Sequence, residues 1–138
     1  MALTVLDASV VIGLLEATDP HHHAATLAIR ERLATSDRMV IPASAYAELL
    51  VGPMRRGDEA VATVDAFLAA LPAEIVEIGV GVAQAAAALR AAHAGRLRLP
   101  DAFVLGTAMH LGADRVLTAD QRWPIIEGLT VAVIGRDS

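Results

Sequence analysis

The amino-acid sequence predicts an α/β fold, a parallel sheet covered by helices on both faces. Three observations predict it. Short continuous apolar runs rich in strand formers recur along the chain, as strands buried on both faces require. Helical segments alternate with them, the pattern of βαβ units. Acids stand just past two of the runs, where open parallel sheets place their function.

Each element follows from local chemistry. Leu3 to Leu6 is the first strand, ended by Asp7. Residues 9–16 read as helix. Asp19-Pro20 predicts a second helix, with Asp19 as N-cap and Pro20 at the first helical position, running to Ser36. Met39-Val40-Ile41 is the second strand, stopped by Pro42. Ser44 to Met54 reads as helix, and Pro53 is expected to kink or end it. Asp58 to Leu71 sets Val61, Val64, Phe67, Leu68 and Leu71 on one helical face. Ile75 to Ile78 is the third strand. Val82 to Ala94 is an alanine-rich helix closed by Gly95. Pro100-Asp101 opens a helix to Leu111, closed by Gly112, in which Gly106 permits close helix packing. Arg115 to Thr118 and Thr130 to Ile134 complete five strands.

A chain of 138 residues predicts one domain, residues 1–138. Hydrophobic residues are 55% and aromatics only 3%, so the core is aliphatic. There is no cysteine, which excludes disulfides, zinc-thiolate sites and thiol nucleophiles. That composition fits a reducing, cytoplasmic setting. The start, Met1-Ala2-Leu3-Thr4-Val5, has no basic flank, so no signal peptide is expected. No run approaches the ~18 uncharged apolar residues of a membrane span. All eleven basic residues other than histidine are arginine. Without lysine there is no Walker A phosphate loop, Schiff base or lysine general base.

Four acids sit in apolar surroundings: Asp7, Glu48, Asp101 and Asp120. A carboxylate there is costly to bury without a cation. Asp7 directly follows the first strand, and Asp120 lies one residue beyond the fourth. They converge if those strands are neighbours. Ser44 and Gly52, one turn either side of Glu48, leave its carboxylate room. Ser9 and Thr118 place hydroxyls where they can hydrogen-bond the carboxylates or a bound water. Oxygen-only donors select magnesium or manganese, and such a site suits phosphodiester hydrolysis.

Simpler roles compete with this reading. Asp7 could be an N-cap, Asp101 a favourable acid at a helix start, and Asp120 a turn acid. Glu48 has no capping role. Asp114 precedes the fourth strand, at the wrong end of the sheet. His21-His22-His23 cannot chelate one ion from one helix face, because consecutive positions diverge by ~100°. The net charge is -5. Setting the four acids aside leaves twelve acids against eleven arginines, so Arg55-Arg56 or Arg90, Arg96 and Arg98 can form local basic patches.

Val5-Leu6-Asp7-Ala8-Ser9, Glu48, Leu99-Pro100-Asp101-Ala102 and Leu117-Thr118-Ala119-Asp120 together resemble a PIN domain, and within that family the VapC toxins of bacterial toxin–antitoxin pairs. The resemblance runs from Leu3 to Ile134. It implies a PIN-like three-layer α/β/α sandwich with a five-stranded parallel sheet. It also implies a Mg2+- or Mn2+-dependent endoribonuclease, a homodimer, and higher assembly with a VapB-type antitoxin whose peptide covers the acidic cleft. Asp7 and Asp101 would then be primary metal ligands, with Glu48 and Asp120 completing the site directly or through water. Ser9 and Thr118 would support them, and Trp123 would serve packing. The alternative is a catalytically silent PIN module that binds RNA or a partner protein. A phospho-receiver needs a lysine that the chain lacks. A dehalogenase-like phosphatase needs a second acid where Ser9 stands.

Overall fold

The computed structural model describes residues 1–135. Its strands are β1 (Leu3–Leu6), β2 (Arg38–Pro42), β3 (Ala73–Val76), β4 (Arg115–Thr118) and β5 (Val131–Val133). Its helices are α1 (Ala8–Leu15), α2 (His22–Ala34), α3 (Ala43–Arg56), α4 (Asp58–Ala70), α5 (Val80–Ala92) and α6 (Leu99–Leu111). The strands form one parallel sheet in the order β3-β2-β1-β4-β5. The chain thus winds outward from β1 to β3, then returns to pair β4 on the other side of β1. Crossovers of one hand then place helices on opposite faces of the sheet. The order reverses between β1 and β4, and open α/β sheets bind ligands in the crevice beyond that point.

Val5, Leu6, Val40, Ile41 and Val116 are wholly buried in the central strands. Each such side chain stabilises the fold by about 1.5–3 kcal/mol through burial. Around the sheet, α1 packs on α2, α3 on α4, and α5 along α6. The packing of α5 on α6 depends on Gly106. A Cβ there would stand 3.0 Å from the Ala86 nitrogen and 3.1 Å from the Val82 carbonyl oxygen. Both are backbone atoms of α5, so a side chain here would force the two helices apart by a few tenths of an ångström. Gly112 closes α6 in the left-handed region, at φ 64°, as its lack of a Cβ allows.

Several boundaries differ from the sequence reading. The second helix starts at His22, not at Pro20. Asp19 spends its carboxylate on the His21 N–H at 2.8 Å and its carbonyl on the His22 N–H. It therefore caps a turn before the helix. His22 Nδ1 lies 2.9 Å from the Gly13 carbonyl oxygen, so this histidine joins α2 to α1. Pro53 does not end α3, which runs to Arg56. The proline falls in the final turn, and Gly57 at φ 116° stops the helix. β3 begins at Ala73, ahead of the apolar run 75–78, because it pairs Met39–Pro42 residue for residue. α5 ends at Ala92, capped by His93, and Gly95 instead turns the following loop at φ 76°. Asp114 lies at the amino end of β4, where its carboxylate accepts the Leu3 N–H at 2.7 Å.

Candidate functional site

Asp7 leaves β1 at the β1/β4 reversal and occupies the N-cap position of α1. Its side chain makes no capping bond. Instead Oδ2 accepts the Ser9 hydroxyl at 2.7 Å and the Thr118 hydroxyl at 2.8 Å. Both hydroxyls also accept from the loop after β4: Ser9 from the Ala119 N–H at 3.0 Å, Thr118 from the Asp120 N–H at 3.1 Å. Thr118 is fully buried and Asp7 is 8% exposed. One Asp7 oxygen is thus fixed by two hydroxyls, while Oδ1 has no hydrogen bond among the described residues. Thr118 serves Asp7 rather than the carboxylate of Asp120.

Asp101 enters from the first turn of α6, behind Pro100. Burial raises its pKa above the ordinary 3.8, and the charges of Asp7 and Asp120 add to the rise. Arg98, at 3.8 Å, opposes it. So does the indole N–H of Trp123, although it completes no hydrogen bond to the carboxylate. Glu48 projects from α3. Its residue is exposed overall, which departs from the expectation of a core-embedded acid. Partial desolvation of its carboxyl still raises its pKa above 4.5, and Asp7 and Asp101 push it further. Asp7, Glu48 and Asp101 therefore share one negative field. Like charges so close disfavour joint ionisation, and a cation among them would relieve the strain.

Asp120 stands at the edge of this group. Burial raises its pKa, but hydrogen bonds from Arg122 outweigh that and leave it below 3.8. Arg122 donates its backbone N–H at 2.8 Å and two guanidinium nitrogens at 3.2 Å to the Asp120 oxygens. An aspartate accepting the N–H two residues on is a turn device. Asp120 thus fills the turn role as well as facing Asp101.

Two openings flank the acids. A groove of about 560 Å³ runs along Glu48, with Ile12, Leu49, Gly52, Arg56 and Val64 in its walls. A cleft of about 270 Å³ lies beside Asp101 and Asp120, walled by Arg96, Arg98, Arg122 and Trp123. The sequence marks Arg96 and Arg98 as a patch but carries no motif that marks Arg122. Its one signal was the spacing from Asp120. Arg90 takes no part in the cleft; its Nε donates to the Leu97 carbonyl at 3.1 Å and pins the loop.

The donor set fits a hard divalent cation. It holds carboxylate and hydroxyl oxygens and no sulfur. Two buried polar atoms at its margins, Ser44 Oγ and Trp123 Nε1, have no hydrogen-bond partner. Ser44 stands one turn before Glu48 on the same helix face. Among the described residues no three acidic or histidine side chains already close on one point.

The like-charge field has a measurable consequence. A carboxyl with a raised folded pKa stabilises the fold at low pH and loses that contribution as pH rises through the folded value. In chelator, Asp101→Asn is expected to raise the thermal midpoint near neutral pH by roughly 2–4 °C. The gain should vanish at pH 4. Calorimetry would detect it, and an unchanged or lower midpoint at pH 7 would contradict the shared field.

The PIN domain family matches residues 4–129 of the chain. Solved structures share the fold. VapBC2 from Rickettsia felis, bound to a DNA fragment from its promoter, superposes with a TM-score of 0.77 at 16% identity, covering 96% of this chain and 98% of that one. A toxin–antitoxin complex from Klebsiella pneumoniae gives 0.68 at 23% identity, covering 94% and 96%. VapC20 from Mycobacterium tuberculosis, a sarcin-ricin loop cleaving toxin, gives 0.63 at 19% identity, covering 82% and 86%. No curated protein matches the chain. With the family match spanning most of its length, and acids gathered where its parallel sheet reverses order, the chain belongs to the PIN domain family.

Proposed function

We propose that this PIN domain, residues 1–138, is a divalent-cation-dependent endoribonuclease and the toxin of a VapBC-type pair. The observation that carries the proposal is the shared field of Asp7, Glu48 and Asp101 at the β1/β4 reversal. Mg2+ or Mn2+ would be held by Asp7 and Asp101, with Glu48 and Asp120 completing the shell directly or through water. A cation there supplies Lewis acidity at the phosphate and a water that ionises near neutral pH. Ser9 and Thr118 keep Asp7 in one rotamer, so its free oxygen need not be ordered when ligands arrive.

The VapBC structures that share this fold are toxin–antitoxin complexes. They support a VapB-type antitoxin as partner; a homodimer as the resting unit, and higher assembly with the antitoxin, belong to the same proposal. The sarcin-ricin loop cleaving relative supports structured RNA as substrate. No helix among the described residues is long and apolar enough to cross a membrane, which accords with action in the cytoplasm.

Purified protein incubated with structured RNAs is expected to cut them with Mg2+ or Mn2+ and to stop in chelator. Cleavage that persists in chelator would sink the metal-dependent reading. RNA binding with no cleavage under any cation would instead support a silent PIN module. Expression of the intact gene is expected to slow growth until a small adjacent antitoxin gene is co-expressed.

A further inference from the structure

Three arginines from two separate segments meet beside the acids, and the ion pairs that two of them make are to site acids alone. Arg96 makes no ion pair among the described residues. Arg98 and Arg122 have side chains 78% and 85% exposed, and their acidic partners are Asp101 and Asp120. Surface pairs of this kind contribute little to stability. Their partners are also acids that the proposed cation would claim. With Asp101 and Asp120 so engaged, the two guanidinium groups are left facing the cleft.

The backbone beneath the arginines is held in place. Leu97 between Arg96 and Arg98 is buried, and its carbonyl is pinned by Arg90. Arg122 is fixed by the turn at Asp120. The floor adds a donor, the Trp123 indole N–H, which is buried near enough to Asp101 to favour its charge but completes no hydrogen bond to it. An unpaired buried N–H is costly, a cost that an anionic oxygen in the cleft would offset. Guanidinium forks and an indole N–H are donors only, so the site asks for an acceptor-rich anion.

We infer that Arg96, Arg98, Arg122 and the Trp123 N–H form a phosphate subsite, which holds the RNA backbone beside the acids. The inference rests on the nuclease reading of the neighbouring acids. It gives the RNA a direction of approach, from the Asp101–Asp120 side rather than along the Glu48 groove. It also answers an electrostatic problem. Four carboxylates repel a phosphodiester, and a flanking set of cations is needed to bring it near.

The test measures RNA binding without cleavage. A labelled short single-stranded RNA is titrated against the full chain with Ca2+, a hard cation suited to the carboxylates, by anisotropy over a range of KCl concentrations, with a gel confirming that the RNA stays intact. Arg96→Gln, Arg98→Gln and Arg122→Gln are each expected to weaken binding about 3–10-fold, and the triple variant to flatten the salt slope by about 0.7 for every phosphate it no longer neutralises. Trp123→Phe should weaken binding without changing that slope. Arg30→Gln, exposed on α2, should leave both unchanged. The chain has one tryptophan, so wild-type emission should change as RNA enters, and the triple variant should lose the response. All of these arginines are exposed, so unaltered thermal midpoints will show that the variants fold. Wild-type affinity and slope in the triple variant would overturn the subsite, as would loss of antitoxin binding with RNA binding intact. If the arginine variants lose RNA but no cation supports cleavage, the nuclease reading fails and the subsite stands.

Discussion

Asp7→Asn is expected to lower RNA cleavage by about three orders of magnitude, the scale of removing one preorganised electrostatic interaction from an active site. The substitution keeps the shape of the side chain. Its amide oxygen can still accept the Ser9 and Thr118 hydroxyls that hold Oδ2. What changes is the group facing Glu48 and Asp101, from an anionic oxygen to an N–H donor. That atom cannot ligate a cation. The same change removes a charge that raises the pKa values of Glu48 and Asp101, so the variant should fold at least as well as the native chain. Single-turnover cleavage with Mn2+, read beside the thermal midpoint, separates the two effects. Full cleavage would remove Asp7 from the active site. A large fall in the midpoint would show that its charge is structural.

The second large effect lies at the opposite end of the sheet. Asp37→Asn is expected to destabilise the fold by roughly 1–3 kcal/mol, the scale of hydrogen bonds to a charged group. Only 3% of the Asp37 side chain is exposed. Its carboxylate accepts the Thr35 hydroxyl at 2.6 Å, the Thr4 hydroxyl at 3.0 Å and Arg32 at 3.1 Å, and it also binds Arg115. It therefore joins the end of α2 to β1 and β4. The Thr35 hydrogen bond, followed by those from Thr4 and Arg32, keeps its pKa below the ordinary 3.8 despite burial. A depressed carboxyl stabilises the fold above its unfolded pKa and loses that contribution as pH falls through the folded value. The native chain should thus lose stability as pH falls below 3.8, and Asp37→Asn should weaken that dependence. Urea titrations at pH 7 and across the acid range would show it. A variant within about 0.5 kcal/mol of the native chain, the usual span for surface changes, would contradict the role. Cleavage below the variant's midpoint should persist, since Asp37 lies far from the acids that share a field.

Asp37 shows what a linear reading misses. It has no apolar setting and no motif, and stands in a polar turn, Thr35-Ser36-Asp37-Arg38. Its importance comes from Thr4 and Arg115, which reach it only because β1 pairs both β2 and β4. Glu48 shows the converse. Its sequence neighbours suggested a core acid, yet it projects from an exposed part of α3 and feels burial only at its carboxyl. Helix periodicity did not report which way that side chain leaves the helix relative to its tertiary neighbours. The start of β3 slipped for a related reason, since a strand's limits follow its partner as well as its own apolar run.

Local chemistry alone determined the alternation of strands and helices, the glycine stop of α6, the close approach at Gly106, and the identity of the acids past β1 and β4. These depend on backbone preference and side-chain type, which act over a few residues. Tertiary structure decided the strand order, the coupling of Asp7 with Glu48 and Asp101, the diversion of Asp120 to Arg122, and the arginine cleft beside them. Electrostatic fields and hydrogen bonds depend on distance in space, and those distances arise only when β1 and β4 lie side by side.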